Sequence, residues 1–548
     1  MKNKLFTAAA LLLMCGTAVI ASCKSIPSDS RGCSEMKPMI RESIDDTLIP
    51  VRQGGVNRRP FWNTYANRFI YVPAFEFAKE SAAVSYRFTA EDRFGVRHIF
   101  SDRSPCALLT PIWKKLPVGP IYLTVDAMDR SGKKIRTVGT RVFYRNAPFT
   151  GAYPPAARSY AEAAKMTYGY LFNLKEVQSL TSGKPDLSFE LFCYPSKMYS
   201  AIIRGMIGYA QMVPEKKEQA LAIAVSAADY LIEKAVPKGE PLEYLPQTYE
   251  GDKLAAKKFA GTIMMLYPAG VGSSMISLYK AAGNKKYLDY AVRIGDQYLR
   301  LQQPNGSWFL NLNIADGKPK EKNCCFPLGI MQFLDRLSAV TGQKKYTLAA
   351  RKCLPVLRKV AETFNWEGQF EDVEAQHKTY LNMTFHNATS LYLYLCRRDP
   401  SDKKLIREAR EIQRYSEDQF IIWEQPGWAG SSNVWTWRTE KDLQTRDWGW
   451  FRRYHVPCTL EQYRCYVPID SASAKMIRYY LLMYDLEKNP LDLAKARALG
   501  DSLTRLQEKS GRIPTWADCD RPVTSDWINC MFGSANALAL LAKYDAVK

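Results

Sequence analysis

The sequence predicts two unlike parts: a small N-terminal β-sandwich, and a larger all-α domain in which six helical hairpins close into an (α/α)6 toroid. Three observations lead to this multidomain fold class. Apolar and polar residues alternate before residue 150, a helical pattern ending in a glycine loop and a tryptophan recurs after it, and small apolar helices precede the charged ones. A chain of 548 residues is long enough for both parts.

The first 22 residues have the features of an export signal, with lysines before an apolar run. Residues 20–23 have the form of a bacterial lipobox, so we expect Cys23 to be acylated; an ordinary cleaved signal peptide is the alternative. Residues 23–40 then form a linker. These features predict an exported protein that is lipid-anchored to a membrane, on the periplasmic side of the outer membrane rather than the cell surface. No later segment has the length of apolar sequence that a spanning helix needs.

Residues 41–149 are predicted to form the β-sandwich. Segments 81–101, 119–134 and 136–145 are rich in Val, Tyr and Phe and are separated by Gly and Asp turns, which is typical of strands. The DRSGK motif at 129–133 predicts a hairpin turn. We expect this domain to pack against the helical part as a structural collar, with carbohydrate binding as the alternative.

Residues 150–548 are predicted to form the toroid, because a helical repeat runs through them. Segments 283–308 and 489–516 share a turn, an amphipathic helix centred on Gly-Asp, a Leu-Gln ending and a glycine loop that closes on tryptophan. Weaker copies lie at 214–237, 342–368 and 402–420. More apolar helices are predicted near 191–212, 269–282, 326–341, 386–397, 470–487 and 529–544. With a further helix at 156–171 this makes six inner and six outer helices; an open solenoid is the alternative.

The connections predict where the active face lies. Links inside each hairpin are short, whereas links from a charged helix to the next apolar helix are long and rich in aromatic residues. In an antiparallel arrangement all the long links lie at one end, where the apolar helices begin. Helix N-termini carry free amide donors and a partial positive charge, so this end is suited to binding anions.

The first long link supplies candidate catalytic carboxyls. Four acidic residues lie within eight positions, and their mutual repulsion raises the pKa of the least solvated one. They are Glu367, Glu371, Asp372 and Glu374. In an extended segment Glu371 and Asp372 point to opposite sides, and we favour Asp372, with Glu371 next. The alternative is that these are ordinary solvated loop charges.

The second long link, within 445–480, interleaves aromatic rings with arginines and carboxylates. Such a combination can stack on a sugar, clamp an anion and move a proton; a surface loop with an aromatic core of its own is the alternative. Glu461 has aromatic neighbours that favour a protonated carboxyl, as an acid catalyst requires. Asp470 is a further catalytic candidate, although helix capping would also explain its position.

Arginines and aromatic residues are the candidates for substrate binding. Arg446, Arg452 and Arg453 could clamp a substrate carboxylate, with surface ion pairs as the alternative. The remaining candidates are Trp448, Trp450, Tyr463, His386, His455, Trp308 and Trp516. For the tryptophans, packing of each loop against its own helix pair is the alternative.

Composition narrows the class of partner. The chain has 76 basic and 55 acidic residues, a net charge of +21 that is spread along the sequence rather than collected into a nucleic-acid-binding arm. This charge favours an acidic partner such as an anionic polysaccharide. None of the four histidines has a paired-ligand spacing and there is no CxxC motif, so we expect no metal or other cofactor. Of the cysteines, Cys353, Cys396 and Cys530 fall in apolar patterns and are predicted to be buried thiols; one or two disulfides elsewhere remain open.

Three segments resemble glycoside hydrolase family 154, which contains exo-β-glucuronidases. They are WEGQFEDVE at 366–374, LEQYRCYVPIDSASAKMIRYYL at 460–481, and PLDLAKARALGDSLTRLQ with GRIPTW within 490–516. With the lipobox and the β-rich collar, the chain is similar to secreted uronic-acid-processing enzymes of Bacteroidetes. The resemblance spans roughly 150–548 and implies a six-hairpin glycosidase-like fold. It supplies no assignment of catalytic residues.

We therefore predict a glycoside hydrolase that removes a terminal uronic acid, with β-glucuronate implied by the resemblance, from oligosaccharides or polysaccharides. Glu461 would protonate the leaving oxygen, and Asp372 would activate water or attack the anomeric carbon. A second hypothesis is a polysaccharide lyase or glucuronyl C5-epimerase, in which the C5 proton is moved by Tyr463, Tyr466, His386 or His455. A third is a non-catalytic glycan-binding lipoprotein.

Overall fold

The computed structural model describes residues 30–51, 68–254, 257–363, 368–372, 384–424, 427–428, 451–452, 454–461, 468–517, 519 and 526–545. Within these residues the protein is predominantly helical and contains one five-stranded mixed β-sheet near the N-terminus. Before the sheet comes a helix, α1 (Ser30–Asp46).

The sheet contains the three segments that the alternating pattern predicts to be strands. Its strands are β1 (Arg68–Phe69), β2 (Ser85–Glu91), β3 (Arg97–Asp102), β4 (Gly119–Met128) and β5 (Lys134–Arg145). Their spatial order is β1-β5-β4-β2-β3, in which β1 runs parallel to β5 and the other pairs are antiparallel. Side chains alternate between buried and half-buried along β2, as expected for a sheet that covers a core on one face.

The predicted hairpin turn joins β4 to β5. The Asp129 Oδ1 atom accepts hydrogen bonds from the backbone N–H of Ser131 at 2.8 Å and of Lys133 at 2.9 Å. Gly132 has a φ of 77°, in the left-handed region that glycine adopts without steric cost. The prediction of a turn at DRSGK is confirmed.

The two-layer sandwich is not confirmed, because the described residues of this region form a single sheet. The buried face of the sheet packs against the segment between β3 and β4, which makes one helical turn at Thr110–Trp113. The Trp113 side chain is fully buried, and its ring lies roughly parallel to that of Phe143 with the centroids 6.1 Å apart. A helical turn and a loop therefore close this core where a second sheet was predicted.

The rest of the chain contains helices at the predicted positions. The apolar series consists of α3 (Pro195–Met212), α5 (Tyr267–Ala282), α7 (Leu328–Thr341), α10 (His386–Arg398), α12 (Asp470–Glu487) and α14 (Ile528–Asp545). The charged series consists of α2 (Tyr160–Asn173), α4 (Lys217–Glu233), α6 (Lys285–Leu301), α8 (Lys344–Lys352) continued by α9 (Leu354–Thr363), α11 (Lys403–Phe420) and α13 (Pro490–Leu506). A single helical turn also lies at Lys175–Gln178.

Short two- and three-residue strands lie in the long links. They are β6 (Thr262–Met264), β7 (Asn311–Asn313), β8 (Ile421–Ile422), β9 (Gly427–Trp428), β10 (Phe451–Arg452) and β11 (Cys458–Thr459). They pair as β6 with β7, β8 with β11, and β9 with β10, all antiparallel. The first pair joins the link before α5 to the link before α7, and the other two pairs lie within the link before α12.

The apolar helices contact one another in a circuit. Helix α3 contacts α5, and the contacts continue through α7, α10 and α12 to α14, which contacts α3 again. Small residues let these helices approach closely. A Cβ atom built on Gly205 of α3 would lie 2.0 Å from Cδ1 of Phe532 on α14. One on Gly272 of α5 would lie 2.3 Å from Cε2 of Phe333 on α7.

Buried polar contacts join the sheet to the helices. Asp418, at the end of α11, accepts hydrogen bonds from the backbone N–H of Ile70 at 2.6 Å and of Tyr71 at 2.9 Å. Arg68 donates to the Ile421 carbonyl at 2.5 Å. Burial raises the pKa of Asp418 to about 7, although these two backbone donors oppose the increase. These buried hydrogen bonds attach the N-terminal sheet to helix α11 and the strand that follows it.

Two further predictions concern the described residues. Cys353, Cys396 and Cys530 are buried, as expected for small core residues. Free thiols among the described residues include Cys106, Cys193, Cys324, Cys325, Cys353, Cys396 and Cys530. Across the described ranges, no helix combines the length and apolar character needed to cross a membrane.

Candidate active site

The site lies at the end of the molecule where the apolar helices begin. Lys197 lies in the first turn of α3, and Tyr267, His386 and Asp470 are the first residues of α5, α10 and α12. Lys197 and Tyr267 donate hydrogen bonds to Glu371 in the first acidic link, and the His386 ring lies 3.6 Å from a carboxylate oxygen of Glu461 in the second. This is the end at which the sequence predicts the active face.

Glu371 is held by donors from three different elements. Its side chain is 3% exposed, and its two carboxylate oxygens accept hydrogen bonds from the Lys197 ammonium and the Tyr267 hydroxyl. The Tyr249 hydroxyl donates to its backbone carbonyl at 3.1 Å. Burial by itself would raise the pKa of Glu371, but the charge and hydrogen bond of Lys197 and the hydrogen bond of Tyr267 lower it overall. This arrangement favours an anchoring role.

The same segment is anchored two residues earlier. The Gln369 side chain accepts a hydrogen bond from the Phe326 N–H at 2.7 Å and donates one to the Cys324 carbonyl at 3.0 Å. Both partners lie just before α7. Residues 368–372 are therefore fixed across the beginnings of α3, α5 and α7, and the next side chain, Asp372, has a defined position.

Asp372 is exposed, in contrast to its neighbour. Protein nevertheless crowds its carboxyl, and this partial burial together with the negative charge of Glu371 raises its pKa. The charge of Glu461 acts in the same direction, whereas Lys197 opposes the increase. Glu461 and Asp372 are thus close enough for one carboxylate to influence the protonation of the other. An exposed carboxyl with a raised pKa is suited to donating a proton to a ligand.

Glu461 lies beside a lysine and a histidine from two apolar helices. Its Oε1 atom is 3.9 Å from Nζ of Lys475 on α12 and 3.6 Å from Nδ1 of His386 on α10. Within the described residues its buried Oε2 atom has no hydrogen-bond partner. The described surroundings of Glu461 therefore include a cation, which the sequence analysis did not predict.

His386 is neutral in this environment. Burial, and then the positive charge of Lys475, hold the pKa of His386 well below its usual value of 6.5. The Lys475 ammonium lies 2.9 Å from Nδ1 and 3.1 Å from Nε2 of the ring, so a neutral imidazole accepts its hydrogen bond. His386 therefore positions the lysine rather than carrying a charge of its own.

Asp470 is a buried acid that forms no ion pair within the described residues. Its side chain accepts a hydrogen bond from the Ser534 hydroxyl of α14 at 2.7 Å, and its Oδ1 atom is buried with no partner among the described residues. Burial raises the pKa of Asp470 to about 8 despite the bond from Ser534, and the nearby charge of Glu461 adds to the increase. Asp470 does not cap α12, because the N-cap residue is Ile469 and it provides no side-chain cap.

Backbone pairing brings Glu461 and Asp470 to the same place. The Leu460 N–H donates to the Phe420 carbonyl at 2.7 Å, and the Ile469 N–H donates to the Thr459 carbonyl at 3.1 Å. The Asp470 N–H donates to the Thr515 carbonyl at 3.0 Å. Backbone hydrogen bonds to Phe420, Thr459 and Thr515 therefore fix the backbone next to Glu461 and at Asp470.

The four candidate acids fall into two groups: two lie in contact with a lysine, and two have raised pKa values. Glu371 pairs with Lys197 and Glu461 lies next to Lys475, whereas Asp372 and Asp470 have raised pKa values. A site with a proton-holding acid next to a lysine-paired carboxylate can carry out acid–base chemistry on a bound ligand.

The structure describes three of the residues predicted to bind substrate in the loops that follow the helices. Trp308 is completely buried, with its indole N–H donating to the Tyr298 carbonyl at 2.8 Å, so it is a packing residue of the core. Trp516 is half-buried against the helices and its backbone pairs with Ile469. His455 is exposed, and its backbone N–H donates to the Ala517 carbonyl at 2.9 Å.

Other predicted residues lie outside the part that the structure describes. These are Cys23, Glu367, Glu374, Arg446, Trp448, Trp450, Arg453, Tyr463 and Tyr466, together with the side chain of Arg452. The roles predicted for them stay predictions.

Sequence reasoning missed Lys197, Tyr267 and Lys475. A signal was present for the lysines: Lys197 is the one charged side chain in the first two turns of α3, and Lys475 follows Asp470 in the first two turns of the small-residue start of α12. A cation there is disfavoured by the helix dipole unless an anion accompanies it. For Tyr267 the sequence carries no comparable signal. Among the described residues, no group of three His, Cys, Asp or Glu side chains could hold a metal ion.

No protein-family model matches the sequence, and no curated protein matches it. Solved structures with some likeness include a family 76 glycoside hydrolase from a bovine Bacteroides thetaiotaomicron strain, with 11% identity over 88% of this chain and 98% of that one, at a TM-score of 0.46. A D-mannose isomerase has 12% identity over 72% of this chain and 100% of that one, at 0.48. An unsaturated glucuronyl hydrolase specific for heparin has 12% identity over 71% and 98%, at 0.43. At these scores the likeness does not bear on activity, and the resemblance to glycoside hydrolase family 154 stays a prediction.

Proposed function

We propose that this protein is a glycoside hydrolase that removes a terminal uronic acid from a glycan by acid–base catalysis with Asp372 and Glu461. One observation carries the proposal. An exposed carboxyl with a raised pKa, Asp372, lies near a second carboxylate that is accompanied by a lysine. Glycoside hydrolysis requires such a pair, with one acid protonated and the other ionised.

The environments of the two acids favour an exchange of the roles predicted from the sequence. Asp372 donates its proton to the glycosidic oxygen, because its raised pKa retains a proton at higher pH. Glu461 removes a proton from water or attacks the anomeric carbon, and its Oε2 atom has no partner in the described part of the chain. Glu371 keeps Asp372 in position through its bonds to Lys197 and Tyr267.

The helix N-termini at the site and the net charge of the whole chain favour an anionic sugar. The apolar helices direct their N-termini to this site, and the chain carries a net charge of +21. The resemblance to glycoside hydrolase family 154 adds β-glucuronate as the sugar. The circuit of helix contacts from α3 to α14 supports an (α/α)6 toroid around the site. The leader supports export and a lipid on Cys23, which mass spectrometry of the native protein would detect.

Incubation of the purified protein with an aryl β-glucuronide and with uronate-terminated oligosaccharides tests the proposal. We expect release of free uronic acid, and a loss of at least about 100-fold in kcat for Asp372→Asn and for Glu461→Gln. Asp289→Asn is the matched control, because Asp289 is a half-exposed residue on the outer helix α6. An unsaturated product, detected by its ultraviolet absorbance, would instead establish a lyase. Full activity in both variants would refute the assigned pair.

A further inference from the structure

We infer that Lys475 binds the carboxylate of the uronic acid and thereby selects an anionic sugar over a neutral one. The inference rests on the proposed hydrolase and adds the residue that determines its specificity. The sequence analysis did not single out this lysine: the arginines predicted for this task precede α12, whereas Lys475 lies on that helix.

The two lysines of the site differ in how closely their ammonium groups are paired with a carboxylate of the protein. Lys197 donates a hydrogen bond to Glu371, whose side chain is 3% exposed. The charge of Lys197 is therefore already paired with a buried carboxylate. The Lys475 side chain is 41% exposed, and its carboxylate contact, to Glu461, is a long one at 3.9 Å. An ammonium has three donors, and among the described residues its close contacts are with the two nitrogens of the His386 ring. Lys475 therefore has donor capacity directed at solvent beside the catalytic pair.

The position of Lys475 matches the geometry of a uronic acid. Glu461 acts at the anomeric carbon in the proposed mechanism, and Lys475 lies next to Glu461. In a pyranose ring the carbon that bears the carboxylate is joined to the anomeric carbon through the ring oxygen. A sugar whose anomeric carbon faces Glu461 can therefore place its carboxylate on the neighbouring ammonium. A glucoside has a hydroxymethyl group at that place and lacks the charge.

The neutral state of His386 keeps this cation available. A protonated imidazole would repel the ammonium, whereas the neutral ring accepts its hydrogen bond and holds it in place. Lysine side chains on a helix lean towards its N-terminus, so Lys475 of α12 is directed to the end at which the site lies. A bound carboxylate adds a charge-assisted hydrogen bond there.

Hydrolysis of an aryl β-glucuronide and of the matching aryl β-glucoside by Lys475→Met tests the inference. We expect kcat/KM for the glucuronide to fall about 10- to 100-fold, mainly through KM, because one hydrogen bond between charged groups is lost. The glucoside has no carboxylate and loses only the effect of Lys475 on Glu461, so its kcat/KM should fall less and the selectivity ratio should fall. Lys475→Arg, which keeps the charge, should retain the preference. Lys488→Met is the matched control, because Lys488 is 68% exposed at the other end of the same helix.

Equal losses on both substrates would overturn the inference, since Lys475 would then only position Glu461. Unchanged selectivity would also overturn it. Calorimetric titration with free D-glucuronate and D-glucose separates this result from failure of the proposed function. If the wild-type protein binds glucuronate without hydrolysing either glycoside, the hydrolase is refuted and Lys475→Met still tests the carboxylate contact. If the wild-type protein neither hydrolyses nor binds the uronate, both proposals fail.

Discussion

Replacing Lys197 with methionine tests the electrostatic anchoring of the acidic link. The substitution preserves most of the side-chain length but leaves the Glu371 carboxylate buried without its cation. Removing one partner of a buried ion pair costs about 3–5 kcal/mol. The Lys197 side chain is 26% exposed, so solvent screens part of the interaction. We therefore expect Lys197→Met to lower the free energy of unfolding by about 3 kcal/mol, the lower end of that range.

A double-mutant cycle measured by urea unfolding is the assay. Glu371→Gln should cost about 1–2 kcal/mol, because Lys197 can still reach water. The double variant should be less destabilised than the sum of the single ones, since no unpaired charge remains buried. The matched control is the exposed pair of Lys345 and Asp296, with side chains 46% and 48% exposed, for which we expect about 0–1 kcal/mol.

The pH dependence has a defined sign. The folded pKa of Glu371 is lowered, so its contribution is present above the unfolded pKa and is lost as pH falls through the folded one. The stability difference between the wild-type protein and Lys197→Met should therefore shrink in acid. A cost below about 1 kcal/mol at neutral pH, or strictly additive single substitutions, would refute the anchoring role.

Three further outcomes are expected. Asp470 has a folded pKa of about 8, above its unfolded value, so wild-type stability should fall as pH rises towards 8, and pH-dependent unfolding of Asp470→Asn should lack this decline. Asp418→Ala should cost about 1–3 kcal/mol in urea unfolding, because two buried backbone N–H donors lose their acceptor; Asp418→Asn, which keeps an acceptor oxygen, should cost less. Gly205→Ala should lower stability by about 1–3 kcal/mol, since the added Cβ would meet Phe532 at 2.0 Å. Gly270→Ala has open space within 4 Å and serves as its control; equal thermal unfolding of these two variants would contradict the close approach of α3 and α14.

Most of the helical part follows from local sequence. Apolar residues at helical spacing predict helices such as α3 and α12 to within a few residues, and the short links predict the hairpins. The unequal links also predict the end at which the acids meet. Alternation along β2 to β5 predicts strands equally well. It does not distinguish one sheet covered by a helical turn from two facing sheets, because both bury every second side chain. In the structure a single sheet is present among the described residues, and the helical turn at Thr110–Trp113 covers its core.

The candidate acids were predictable as a group, but their states were not. Whether Glu371 or Asp372 is free to act depends on Lys197, which is 174 positions away in sequence from Glu371. The tryptophan repeat is likewise compatible with Trp308 in the core or at the rim of the site. The structure places it in the core, where its indole N–H donates to the Tyr298 carbonyl. Contacts between distant segments carry no local pattern.

The sequence by itself determined where helices and strands form and which end of the helices collects the carboxyls, because periodicity and link length are properties of neighbouring residues. Tertiary structure alone decided which acids lie in contact with a lysine and which have a raised pKa. Protonation depends on burial and on charges a few ångströms away, and folding brings those charges from remote helices to Glu371 and Glu461.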